Sequence, residues 1–207
     1  MITSLVNLDF DSVMSLSDAE FFSNFAFYMQ TALVKDISLY TDLIDEMYEI
    51  CEREKSVLED IISRVEKDRK LILDQNALKE SSVSPLSFGF TIAEALSEVI
   101  PGKFNNGEYL SLGCVAESYI SYKKNWLNKD EYYEIRDMFV PFYLPISVDM
   151  LDIENVLTYI KENVLTNEEN HYTLALLKKI GRTVVDRTIT LDDIKDALEE
   201  INFDEAW

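Results

Sequence analysis

The side chains in this sequence that could do chemistry are few and scattered. His171 is the only histidine. It opens a β-prone run with no acid or thiol beside it at the spacing of a catalytic pair, so a structural or exposed role is expected of it. The thiols Cys51 and Cys114 are not in Cys-x-x-Cys spacing and sit in helical, partly apolar surroundings, which favours buried, reduced cysteines over metal or redox chemistry. Glu94, three residues past Phe88-Gly89-Phe90-Thr91, reads on its own as a solvated helical carboxylate. Lys103, Lys123, Lys124, Lys178 and Lys179 offer positive charge without the Gly-rich turn that would make a phosphate cradle. The densest cluster of signals is the stretch from Leu86 to Cys114, which holds Phe88-Gly89-Phe90-Thr91, a Pro101-Gly102 break and Asn106-Gly107-Glu108.

The elements that must position these residues are helices. The chain has 207 residues, 47% of them hydrophobic, enough for a sizeable core and consistent with a single domain over 1–207. Only five Gly and four Pro argue against a turn-rich all-β fold. A net charge of −20 disfavours nucleic acid and anionic membrane as partners, because both are gripped by clustered Lys and Arg. The N-terminal residues lack the basic flank and apolar run of a signal peptide, and no apolar run approaches membrane-spanning length, so a cytoplasmic location is expected.

Local signals order the helices. Ser4 to Leu8 reads as a strand or extended lead-in. Ser17 and Glu20 have capping-box spacing, and the helix they open is apolar around nearly its whole circumference from Phe21 to Leu33. A long helical period from about 38 to 70 follows, with a break possible near Glu52 to Lys55, and then a loop over 74–87. Helices are predicted over 91–99 and from 108 to about 126, after a capping box at Asn128 and Glu131, and after Asp152. A Pro-bounded loop spans 141–147, and the aromatic-rich stretch 119–143 reads mostly as core. The runs 171–177 and 183–187 flank Lys178-Lys179-Ile180-Gly181 as a small hairpin, and Thr190 starts a last amphipathic helix. The predicted fold class is therefore mainly α, a helical bundle with one small β-hairpin near 171–187.

Phe88-Gly89-Phe90-Thr91, the Pro101-Gly102 break and Asn106-Gly107-Glu108 resemble the segment that carries two zinc histidines in 3-dehydroquinate synthases, where the first piece reads Asn-Phe-Gly-His-Thr-x-Gly-His and the second His-Gly-Glu. The likeness extends to Leu8-Asp9-Phe10, to the helix through Ala26 and Leu33 with Lys35-Asp36 behind it, and to Leu174 to Gly181, which resembles the family's Phe-Val-Leu-Leu-x-x-Ile-Gly hairpin. It covers almost the whole chain and implies the helical C-terminal domain of that family. There the domain binds zinc and closes over 3-deoxy-arabino-heptulosonate 7-phosphate, which also meets NAD on a separate N-terminal domain. This chain starts where the NAD-binding domain would end, so a stand-alone version of the C-terminal domain is expected.

Carried over residue by residue, the resemblance places the family's glutamate ligand on Phe27, its first histidine on Phe90 and its His-Gly-Glu histidine on Asn106. The second histidine of the first motif falls on Glu94, a lysine on Gln30, an asparagine on Ser87, an arginine on Val83, and an Asp-Lys-Lys segment near Lys161, Glu162 and Asn163. Phenyl rings donate nothing to zinc. The expectation is a catalytically degenerate domain without metal or cofactor and without the parent carbon-oxygen lyase activity, in which Phe27 and Phe90 meet and fill the former metal cavity. Gln30, Ser87, Glu94 and Asn163 would remain as remnant cleft positions.

Three roles follow. One is a non-catalytic or regulatory subunit bound to an NAD-binding-domain polypeptide or a full-length paralogue, marked by an apolar patch near the lead-in and the 101–106 turn. Another is a divergent enzyme or small-molecule binder reusing the cleft, marked by a polar pocket around Glu94, Gln30 and Asn106. The third is a self-associating structural protein, a homo-oligomer.

Overall fold

The computed structural model describes residues 6–77 and 83–203. Ten helices and two small two-stranded sheets occupy these residues: α1 (Phe10–Ser15), α2 (Asp18–Lys35), α3 (Ile37–Asp45), α4 (Met47–Cys51), α5 (Lys55–Ala77), α6 (Phe90–Val99), α7 (Asn106–Lys123), α8 (Lys129–Asp137), β1 (Val148–Asp149), α9 (Ile153–Asn163), β2 (Tyr172–Lys179), β3 (Arg182–Ile189), α10 (Leu191–Ile201) and β4 (Asn202–Phe203). The mainly α class and the hairpin are as the sequence predicts.

Two helices form the axis of the bundle. α2 starts at a capping box in which Ser17 Oγ accepts the Glu20 amide at 3.4 Å and the Glu20 carboxylate accepts the Ser17 amide at 3.1 Å. From Asn24 to Val34 every residue of α2 is buried, so the all-round apolar pattern does mark a central helix. α7 starts at a second box, Asn105 with Glu108, and every residue from Tyr109 to Ser118 is buried. α2 packs against α3, α5 and α7, while α7 also meets α6, α8, α10 and β2.

Several predicted boundaries are corrected. The lead-in over 6–9 is not a strand, and Asp9 instead caps the short helix α1 through the Ser12 amide at 2.9 Å; Ser4 and Leu5 lie outside the described residues. The long helix is three helices. Asp36 ends α2 and caps α3 by accepting the Ser38 and Leu39 amides, an unforeseen break comes at Glu46, and the break expected near Glu52 to Lys55 is present and turns on Arg53, whose φ of 57° is left-handed. The left-handed turn is fixed by contacts far along the chain: the Arg53 guanidinium donates to the carbonyls of Met14 and Leu16 and pairs with Asp18 at 2.9 Å. α5 runs to Ala77, past the point where a loop was expected; the rest of that loop lies partly outside the described residues. Cys114 is buried, but Cys51 is only half-buried, its Sγ 3.7 Å from the Pro141 carbonyl.

The C-terminal third closes the bundle. β2 and β3 pair antiparallel, with irregularities at Tyr172/Leu174 and Leu177/Lys179. The turn between them reaches back to α2, where the Gly181 amide donates to the Leu33 carbonyl at 2.8 Å. β1 and β4 form a parallel pair, Val148 with Asn202 and Asp149 with Phe203, that no local pattern announces.

Candidate functional site

The turn before α6 is tied from two neighbouring helices. Gln30, wholly buried on α2, donates its amide to the Leu86 carbonyl at 3.0 Å and the Phe88 carbonyl at 2.6 Å. Glu117, wholly buried on α7, accepts the Gly89 amide at 2.6 Å and the Ile92 amide at 3.4 Å. A helix start leaves its first amides without intrahelical acceptors, and its dipole favours negative charge there. Glu117 answers both needs from a neighbouring helix. Its burial still outweighs these bonds and pushes its carboxyl up to about 8. The same burial, with Glu117 nearby, raises the Cys114 thiol well above its ordinary range.

Gln30 thus holds the backbone on one side of the turn and Glu117 on the other. Replacing Gln30 by Met keeps the volume but strands two buried carbonyls, so Gln30→Met should lower stability by about 1–3 kcal/mol in urea unfolding. A wild-type midpoint would mean that water replaces the amide.

With the turn fixed, the Phe90 ring packs on the Phe27 ring, centroids 6.3 Å apart and planes at 51°. Phe27 is 3% exposed. One turn along α2, Thr31 Oγ1 donates to the Phe27 carbonyl at 2.8 Å and accepts from Arg69 of α5 at 3.1 Å. Burial lowers the Arg69 guanidinium to about 10. Asn106 is exposed at the first position of α7, and Gly107 beside it donates its amide to Ser23 Oγ at 3.0 Å, joining α7 to α2.

Beside the Phe90 turn lies an open cleft of about 710 Å³. α6 contributes Phe90, Thr91 and Glu94, α9 contributes Tyr159 and Asn163, and the hairpin contributes Thr173 and Arg187. Three of the four remnant positions, Ser87, Glu94 and Asn163, line it, together with Val83. Gln30 does not, because its amide is spent on the backbone, and Asn106 is not part of the lining either. The polar pocket around Glu94, Gln30 and Asn106 is therefore corrected to one built from Glu94, Ser87, Asn163 and the hairpin. Glu94 is half-buried rather than fully solvated. His171 does have an acid close by, with Nδ1 3.4 Å from the Glu169 carboxylate; it is not among the residues that line the cleft.

A second groove, about 520 Å³, runs between the start of α2 and the turn before α7. Phe22, Cys51, Leu144 and Tyr143 line it with Asp18, Glu52, Asn105 and Glu108. Tyr143 packs on Phe22 with centroids 5.0 Å apart, yet it is 76% exposed, and nearby Val140 is 52% exposed.

The family model "3-dehydroquinate synthase C-terminal" matches residues 25–165, more than half of the chain. The chain belongs to this family. The 3-dehydroquinate synthase of Thermodesulfovibrio yellowstonii is 26% identical over 203 residues, covering 95% of this chain and 55% of that protein. The 3-dehydroquinate synthase of Coxiella burnetii is 26% identical over 200 residues, covering 94% and 55%. The chain therefore spans about half the length of the curated relatives it matches. Among solved structures, it superposes on 2-epi-5-epi-valiolone synthase from Streptomyces hygroscopicus subsp. jinggangensis with NAD+ and Zn2+ bound, at a TM-score of 0.81 and 16% identity over 93% of this chain and 54% of that one. A 2-deoxy-scyllo-inosose synthase complexed with carbaglucose-6-phosphate, NAD+ and Co2+ gives 0.72 and 15% identity over 90% and 53%. These similarities show the fold of the 3-dehydroquinate synthase C-terminal family.

Zinc takes imidazole, thiolate or carboxylate donors at about 2 Å. Of the three positions that the family resemblance assigns to ligands, two carry phenyl rings in contact with each other and the third an amide. Among the described residues no three His, Cys, Asp or Glu side chains are grouped to hold a metal ion. The residues present do not fit the zinc of the family. The Gln30 and Glu117 ties were hidden from sequence reasoning, although Glu117 had a signal: it is the only charged residue between Tyr109 and Tyr122 on a helix apolar on all sides.

Proposed function

We propose that this chain is a catalytically degenerate member of the family, a non-catalytic domain that works through a protein partner. The observation that carries the reading is the Phe27–Phe90 contact. Two rings packed against each other, one of them 3% exposed, occupy positions that the family resemblance assigns to metal ligands. Filling such a site with apolar side chains is favourable, since an emptied polar pocket would leave unpaired groups and a void. The lysine and arginine positions of the resemblance carry Gln30, spent on backbone carbonyls, and Val83. Neither can grip a sugar phosphate.

The partner half of the reading is supported by the groove between α2 and the 105–108 turn. Exposed Tyr143 and Val140 beside Phe22 and Leu144 make an apolar patch where the subunit role would have one. The partner best suited is an NAD-binding-domain polypeptide or a full-length paralogue, with a second copy of this chain as the alternative.

Both halves can be tested on one preparation. The full chain is incubated with excess zinc and desalted, its metal is counted by mass spectrometry, and formation of 3-dehydroquinate is assayed with NAD and the heptulosonate phosphate. Well under one zinc per chain and no turnover are expected. One tightly held zinc, or product formation by the isolated chain, would overturn the degenerate reading. Light scattering after co-purification should give a defined complex with an identified NAD-binding polypeptide, lost in Tyr143→Asp. A partner-free monomer would remove the partner half alone.

A further inference from the structure

The cleft beside Phe90 carries two opposite charges that the fold leaves unused. Glu94 stands on the α6 wall and Arg187 on the β3 wall. Neither makes an ion pair or side-chain hydrogen bond among the described residues. Arg187 is exposed and Glu94 half-buried. Arg182 likewise makes no ion pair among the described residues, whereas Arg53, Arg64 and Arg136 are ion-paired and Arg69 is bonded to Thr31, so what sets Arg187 apart is its place on the wall of a cleft that also holds Glu94.

We infer that this cleft binds a zwitterionic small molecule, an α-amino acid with a large apolar side chain, between Arg187 and Glu94. The inference goes beyond the proposed non-catalytic role and does not depend on it. A guanidinium presents a planar fork that a carboxylate matches with two parallel hydrogen bonds. A carboxylate such as Glu94 accepts from an ammonium. A purely anionic ligand would meet Glu94 and the field of a protein of net charge −20, while a purely cationic one would be opposed by Arg187. Only a ligand carrying both charges is favoured on both walls.

The rest of the lining agrees with this ligand. Val83, Phe90, Val164 and Leu165 supply apolar lining, Leu165 being 90% exposed. Thr91, Thr173 and Asn163 add hydroxyl and amide groups to the lining. A volume near 710 Å³ lies in the range of small-molecule sites.

The test is a titration of the isotopically labelled full chain, followed by amide chemical shifts. The probes are L-phenylalanine, L-leucine, L-methionine and L-tryptophan, with phenethylamine and 3-phenylpropionate as analogues that each keep one charge. Phenylalanine is expected to move the amides of Phe90, Thr91 and Thr173, and each analogue to bind at least about tenfold more weakly. Arg187→Gln and Glu94→Gln should each weaken phenylalanine by about tenfold while leaving the thermal midpoint of these solvent-reaching positions unchanged. No shift in the cleft with any of the four amino acids at millimolar concentration would overturn the inference. So would 3-phenylpropionate binding as tightly as phenylalanine, which would make the site a simple anion site. None of these outcomes changes the zinc count or the turnover assay, so this inference and the proposed function fail separately.

Discussion

Between about pH 5 and pH 8 the protein should become less stable as the pH rises, and Glu117→Gln should remove most of that slope. The cause is the carboxyl buried under the α6 turn. In the folded chain it keeps its proton up to about 8, against 4.5 for an exposed glutamate. Across that window the unfolded chain releases the proton and the folded chain does not, so the folded state binds more protons and raising the pH favours unfolding. The steepest slope one such group can give is about 1.4 kcal/mol per pH unit. Among the other shifted carboxyls, Asp9, Glu20, Glu54 and Asp186 are held below their ordinary values, so their contribution is already complete by pH 5, while burial raises Glu46 and Asp68, which add a slope of the same sign that Glu117→Gln leaves in place. Glu117→Gln loses one acceptor for the amides of Gly89 and Ile92 and should be less stable than wild type at pH 5 by about 1–3 kcal/mol. Because wild type loses about 3–4 kcal/mol of this contribution between pH 5 and pH 8, the two curves should cross below pH 8, with Glu117→Gln the more stable protein at pH 8. Glu117→Ala leaves the amides bare and opens a void, and should cost about 3–5 kcal/mol at pH 5. Urea unfolding at several pH values measures all three. Parallel curves for wild type and Glu117→Gln would show that the carboxyl is ionised in the folded state.

What the sequence made legible follows the range of the forces involved. The caps at Ser17, Asn128, Asp152 and Thr190 could be read because a cap is a contact between residues three apart. The hairpin could be read because β-prone runs flank Gly181, which takes φ of +77° at the turn. The break near Glu52 to Lys55 could be placed from the sequence, but what holds it could not, and the break at Glu46 had no sign. A left-handed arginine is held by the carbonyls of Met14 and Leu16, nearly forty residues upstream, and the apolar period runs through the break. α1 was missed because only Val13 of its six residues is buried, too little for a period. The parallel pair of β1 and β4 joins residues 148 and 202 and has two residues per strand.

The same division runs through the candidate site. Phe27 and Phe90 could be paired in advance because the family resemblance puts both on one site, whereas the role of Gln30 depends on which carbonyls end up beside it. As a remnant of a polar cleft, Gln30 would face a ligand; in the fold it faces Leu86 and Phe88. Arg187 stood in a strand with no motif around it, and only the packing of the hairpin against α6 and α9 turns it into a wall of the cleft.

Gly113→Ala should be highly damaging, costing about 4 kcal/mol or more, a large part of the about 5–15 kcal/mol that holds a typical domain together. Gly113 lies mid-helix in α7, where glycine is ordinarily worse than alanine by about 1 kcal/mol, so its presence needs a reason. A Cβ at this position would lie 1.9 Å from the Gly89 carbonyl oxygen and 2.9 Å from the Ala93 Cβ. The obstacle is backbone, which has no rotamer to move into, so α6 would have to leave α7. That movement would pull the Gly89 and Ile92 amides away from Glu117 and lift Phe90 from Phe27, so one methyl group should undo the fold and the cleft together. Gly102→Ala is the control. Its φ of +75° gives the strain of a left-handed alanine, but a Cβ there meets nothing within 4 Å, and the cost should stay near 1 kcal/mol. Thermal unfolding of the two variants, with the amide shift of Thr91 as a local reporter, separates crowding from backbone strain. If Gly113→Ala lost no more than Gly102→Ala, the close crossing of α6 and α7, on which both the Glu117 tie and the ring contact depend, would be wrong.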